Sequence, residues 1–93
     1  MTLTLASRLA LDPHVRFRRF DDEGVIVNQK SAEAVVVSEV GARLLEVADG
    51  RRTIADCAAL LVTEFEVERD VLERDVLAFA DALVDAGIAV AES

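Results

Sequence analysis

Tryptophan and tyrosine are absent from this chain, and cysteine, histidine and proline each occur once. One histidine and one cysteine cannot build the usual zinc cluster within a single chain. The lone Cys57 excludes an internal disulfide and fits a reducing cytoplasm. Placed on a helix, it reads as a small core residue rather than a nucleophile. His14 follows Pro13 and reads as a turn residue. No run of about 18 apolar residues occurs, so nothing in the sequence is expected to span a membrane. The N-terminus has Arg8 and a short apolar patch but no small-residue cleavage site, which excludes a convincing signal peptide. There is no glycine-rich phosphate loop. The closest acidic cluster, Asp21-Asp22-Glu23, lacks the spacing of a calcium loop. Ser7, Ser31 and Ser38 have no histidine at a suggestive distance in sequence. Cations are also scarce: 10 Lys and Arg stand against 18 Asp and Glu, a net charge of −8. A nucleic-acid binder neutralises phosphates with Lys and Arg, so this charge balance argues against nucleic acid as a partner. The reading is a non-enzyme without metal or cofactor, and any aromatic pocket must draw on Phe17, Phe20, Phe65 or Phe79.

What is there is apolar. Hydrophobic residues make up 53% of 93 positions, enough for one domain spanning 1–93 with a small core. The richest stretch is Glu68 to Gly87, which reads as one long helix closed by a glycine. At about 100° per residue its apolar side chains sweep an arc of roughly 260°, against the 100° or so of an ordinary surface helix. Leu72, Val76, Phe79 and Leu83 form one ridge; Leu77, Ala80 and Val84 form a second; Val71, Ala78 and Ala82 form a third. Asp75 is set inside the arc. A helix this apolar is either enclosed by its own domain or leaves a groove for something else.

In chain order, Met1 to Asp12 is a short lead without a strong period. Val15 to Phe20 reads as a strand, Asp21 to Gly24 as a turn ending in a glycine able to take positive φ, and Gly24 to Asn28 as the returning strand of a hairpin. A polar turn leads to Ala34–Val37, a third short strand. Its composition suggests burial on both faces. At the edge of a three-stranded meander it would also carry an unpaired row of backbone groups. Ser38 is a plausible N-cap of a first helix reaching Ala48 or Asp49, with Gly50 as its stop. Gly41 inside that helix costs about 1 kcal/mol relative to Ala, which a close approach of another backbone would justify. Thr53-Ile54-Ala55-Asp56 has the capping-box pattern and opens a second helix to about Phe65, burying Ile54, Ala58, Leu61 and Phe65. Ile88 to Ala91 is a short apolar tail with strand character. An apolar strand edge beside an over-apolar helix matches one recognition mode, in which an extended peptide adds a strand and drops alternate side chains into pockets. On the residues alone, the reading of both features as simply core is slightly ahead, because a small domain needs every apolar residue.

Several segments together are similar to the PqqD-like family, the RiPP recognition elements. They are Pro13 with Arg16, Asp22-Glu23-Gly24, Ser-x-x-Gly-Ala-Arg-Leu-Leu-Glu at 38–46, Asp49-Gly50-Arg51-Arg52-Thr53-Ile54, Glu64-Phe65, and Asp75-Val76-x-x-Phe79-x-x-x-Leu83 before Gly87-Ile88. The resemblance covers about residues 13–90. It implies an α+β, winged-helix-like fold with a three-stranded antiparallel sheet followed by three helices. It also implies a role: binding the leader segment of a ribosomally made precursor peptide and presenting it to a modifying enzyme such as a radical maturase, a peptidase or a cyclase. The docking edge would be Ala34, Val35, Val36 and Val37. The helix wall would come from Arg69, Leu72, Glu73, Val76, Phe79, Ala80 and Leu83, with Arg69 and Glu73 pairing with leader charges at the rim. The alternatives are a winged-helix transcriptional regulator and an oligomerisation module in which the strand edge pairs with its own copy as a homodimer.

Overall fold

The computed structural model describes residues 3–92. The chain runs β1 (Arg8–Leu11), β2 (Val15–Phe20), β3 (Glu23–Asn28), β4 (Glu33–Val37), α1 (Glu39–Val47), β5 (Asp49–Thr53), α2 (Ile54–Val62), α3 (Arg69–Asp85) and β6 (Ala89–Glu92). The α+β class, the meander and the three helices are as expected. The winged-helix label fits only loosely, because two three-stranded antiparallel sheets are present, ordered β2-β3-β4 and β5-β1-β6.

The first sheet is a continuous meander. Phe20 pairs with Glu23 across the Asp21-Asp22 turn, and Asn28 pairs with Glu33 across the second turn. The first turn differs from expectation. Asp21 supplies the positive φ, at 53°, while Gly24 lies within β3. Gly24 is needed there for space: a Cβ at this position would sit 2.6 Å from the Phe17 ring and 2.9 Å from Ala42 Cβ. The sheet's register puts Phe17, Ile26 and Val35 on one face, and Val37 joins Ile26 in the core. The opposite face carries Val25, Val27 and Val36.

The second sheet is the main correction. The lead segment contains its central strand. β1 pairs with β6 from Arg8↔Glu92 to Leu11↔Ala89, and with β5 at Arg8↔Thr53 and Ala10↔Asp49. The register to β5 is broken between those two pairs, and Gly50, at φ 81°, lies in the irregular stretch. Gly50 therefore does not close α1, which already ends at Ala48. Leu9 is 1% exposed and packs into the same core as Leu44, Ile54 and Leu61. Full burial of each such side chain contributes roughly 1.5–3 kcal/mol.

The helices obey local rules. Ser38 caps α1 by accepting from the Gly41 N–H. Thr53 and Asp56 form the expected capping box on α2. A helix start leaves further N–H groups without intrahelical partners. Here the Ile54 and Ala55 amides donate to the Ser7 and Leu5 carbonyls, at 2.8 and 2.9 Å. The N-terminal segment thus completes α2 as well as the second sheet. α2 stops at Val62, with Phe65 half-buried in the loop that follows. α3 buries Leu72, Val76, Ala80 and Leu83 and ends before Gly87, at φ 74°. Its third ridge, Val71, Ala78 and Ala82, remains outside the core, so the apolar arc is only partly enclosed.

Candidate peptide-binding groove

β4 is an edge strand. It pairs with β3 on one side and with nothing among the described residues on the other. Its expected burial on both faces is not observed. Val35 is 42% exposed and Val36 64%, while Val37 is buried. The reason is topological: among the described residues no helix packs across the outer face of this sheet, and nothing pairs with its β4 edge. In an antiparallel ladder an edge strand keeps a row of unpaired N–H and C=O groups, able to accept another strand.

Two cavities flank this edge. The larger, about 550 Å³, lies past the C-terminal end of β4. α1 contributes Val40, Gly41 and Leu44, α3 contributes Leu72, Asp75, Val76 and Phe79, and the α2–α3 loop contributes Phe65, Glu66 and Val67. The smaller, about 90 Å³, joins Val35 of β4 to Ala86 and Ile88 just after α3. The two hollows share no lining residue; one reaches β4 itself and the other begins at Ser38, just past its end. The larger, the deep end of the candidate groove, is of the size and mostly apolar character of small-molecule and peptide side-chain pockets.

Gly41 sets the depth of that end. A Cβ there would lie 3.1 Å from the Phe79 ring and 3.4 Å from Val37 Cβ. The cost of glycine inside α1 is thus explained by the approach of an aromatic ring, not of a backbone as expected from sequence. Phe79, Gly41 and Val37 meet where helix, helix and strand converge.

The proposed wall residues divide. Leu72, Val76 and Phe79 line the deep cavity. Ala80 and Leu83 are 0% and 4% exposed, belong to the core and line neither cavity. Arg69 and Glu73 pair with each other across one helical turn, at 3.3 Å. Ala34 and Val36 point to the outer face, so the edge at these positions is offered by backbone alone. Of the four phenylalanines, Phe65 and Phe79 line the cavity, Phe17 packs against Gly24, and Phe20 is 56% exposed. Val40, Leu44 and Val67 complete the cavity without any binding signal in the sequence, together with Phe65, one of the four aromatics available for a pocket. Val40 and Leu44 share the apolar period of α1, which reads as core, and only the α2–α3 loop brings Phe65 and Val67 to the same hollow.

A charged frame braces the outside of α1. Arg43 donates twice to Glu64, at 2.8 and 3.0 Å, and Arg19 pairs with Glu46. The hydrogen bonds from Arg43 hold the Glu64 carboxyl below its ordinary pKa. Cys57, on the buried face of α2, has its thiol pKa pushed up by desolvation, which disfavours the reactive thiolate. Among the described residues no group of three or more His, Cys, Asp or Glu is placed to hold a metal. No helix among them is long and apolar enough to cross a membrane.

Residues 23–89 match the family model described as coenzyme PQQ synthesis protein D (PqqD). No curated protein matches the chain in sequence. Among solved structures, a lasso peptide synthetase B1 complexed with the leader peptide is 28% identical, with a TM-score of 0.78 over 89% of this chain and 98% of that one. TbiB1 in complex with the TbiA(beta) leader peptide is 21% identical, with a TM-score of 0.77 over 86% and 93%. The PqqD truncation of Methylobacterium extorquens PqqCD, described as a stand-alone RiPP recognition element, is 18% identical, with a TM-score of 0.81 over 96% and 95%. At their identities the last two show likeness of fold.

Proposed function

The chain belongs to the PqqD family, and from that premise we propose that it is a non-catalytic adaptor for a ribosomally synthesised precursor peptide. It binds the leader segment by strand addition at Ala34–Val37 and presents the remainder to a modifying enzyme in the cytoplasm. The observation that carries this reading is the open edge of β4 beside an apolar cavity. Two similar structures hold leader peptides, and the RiPP recognition element among the matches is a binding unit, which supports the same role here. Main-chain hydrogen bonds supply affinity that is nearly independent of sequence, and side chains entering the groove supply selectivity. Leu72, Val76 and Phe79 are the wall that such side chains meet. Arg69 and Glu73 stand at the rim, where each exchanged pair is worth under about 1 kcal/mol. Ala80 and Leu83 act from beneath, by fixing α3 on the core.

The adaptor works by proximity. Holding the leader raises the effective concentration of the attached core peptide at the enzyme's active site, without any bond being made or broken by the adaptor. The −8 net charge disfavours the regulator alternative, since duplex DNA would be repelled. The test is a fluorescence-anisotropy titration with a labelled leader peptide encoded beside the protein's gene. Saturable binding at micromolar concentration or tighter, weakened at least about tenfold by Phe79→Ala, is the expected result; one lost anchored side chain of 1.4 kcal/mol or more gives that factor. Equal binding by a folded Phe79→Ala variant would refute the groove as the site.

A further inference from the structure

The deep cavity carries charge of one sign. Asp75 and Glu66 are among its lining residues, and no Lys, Arg or His lines it. Neither carboxylate has a hydrogen-bond or ion-pair partner among the described residues. On the flanking helices Arg43 is engaged with Glu64 and Glu46, and Arg69 with Glu73, while Arg74, the residue before Asp75, does not line the cavity. Asp75 lies between Leu72, Val76 and Phe79 on one helical face, at spacings of three, one and four residues. A carboxylate in that position is hydrated while the cavity is open. An apolar side chain filling the cavity would take water from it, and an unpaired charge losing water is penalised.

We infer that the cavity selects a basic residue, lysine or arginine, in the bound peptide, its aliphatic stem lying on Leu72, Val76 and Phe79 and its charge meeting Asp75. The inference rests on the reading of this groove as the leader site and adds what the groove prefers. Lys and Arg are the side chains that combine an apolar stem with a cationic end. The rings of Phe65 and Phe79 offer a cation a further favourable surface. An acidic side chain at the same place meets two carboxylates and no donor from a cationic residue, so the site also rejects by charge. Because the cavity lies beyond the C-terminal end of β4, the selected residue sits at one end of the added strand, next to Val37 rather than beside Val35.

The experiment is selection from a phage-displayed library of random twelve-residue peptides on the wild-type protein, on Asp75→Asn and on Asp75→Lys. Asp75 is exposed, and these changes leave the core intact. Wild-type selections should be enriched in Lys or Arg beside a large apolar residue. The synthesised peptides should bind Asp75→Asn about fivefold more weakly, the factor that a rim ion pair of about 1 kcal/mol provides. Asp75→Lys should lose the enrichment. Peptides that protect the β4 amides but show no basic enrichment, or that bind Asp75→Asn as tightly as wild type, would overturn this inference and leave the leader-groove reading standing. Recovery of no peptide that protects the β4 amides would overturn both.

Discussion

Replacing Leu9 with alanine tests whether the N-terminal strand belongs to the core. Leu9 is 1% exposed, in the central strand of the β5-β1-β6 sheet, and packs with Leu44, Ile54 and Leu61. Truncation removes about three carbon atoms, worth roughly 2.4 kcal/mol in transfer free energy at about 0.8 kcal/mol each. The residual cavity adds to this, and buried Leu→Ala changes fall at about 2–5 kcal/mol in total. The site is hemmed by strands on both sides, which limits collapse, so we expect about 3 kcal/mol. A domain of this size has a total stability of about 5–14 kcal/mol. With a urea m-value near the lower end of the range, about 1–1.5 kcal/mol/M, the midpoint should fall by about 2–3 M. Leu60→Ala, at a position 37% exposed, is the control and should shift it by well under 1 M. If Leu9→Ala moves the midpoint no more than Leu60→Ala does, residues 8–11 are not the core strand described here.

Further outcomes follow from the caps, the cavity and the carboxylates. Thr53→Ala removes the hydroxyl that accepts from the Asp56 amide and should cost about 1 kcal/mol in equilibrium unfolding. Gly41→Ala gains up to about 1 kcal/mol of helix propensity but forces Phe79 outward by a few tenths of an ångström; unfolding should be nearly unchanged while leader affinity falls. Asp49 is held below its ordinary pKa of 3.8 by the Arg52 and Arg51 amides, and Glu64 below 4.5 by Arg43. Both groups favour the folded state when ionised, so their contribution is complete above those ordinary values and is lost as pH falls through the lower folded ones. The urea midpoint should therefore decline from about pH 5 to pH 3, and the Asp49→Asn, Glu64→Gln double variant should decline less.

Local signals in the sequence were reliable where a single segment decides its own structure. Ser38 and Thr53 cap the helices they were read to cap, and the β2-β3-β4 meander follows from alternation and two polar turns. The second sheet was not legible for a physical reason. β5 is Asp-Gly-Arg-Arg-Thr, a polar edge strand without apolar alternation, and β1 is four residues long. Its partners lie more than 40 residues away in sequence, at Thr53 and Glu92, and only tertiary packing brings them together. Gly50 illustrates the same limit: a glycine after an apolar helix reads as its stop, but here it serves the irregular β1–β5 register at φ 81°. In the groove, the spacing of Leu72, Val76 and Phe79 made them legible as one face. That face alone does not tell Phe79, at the cavity, from Leu83, in the core. The difference depends on where α1 and the Phe65–Val67 loop stop covering α3.

Amide hydrogen exchange by NMR, with and without the leader peptide, addresses strand addition at β4 directly. On saturation, alternate amides within Glu33–Val37 should gain protection as the added strand takes up their N–H groups, and the side-chain signals of Val76 and Phe79 should shift. Saturable binding that leaves every β4 amide exchanging at its unbound rate would contradict the account.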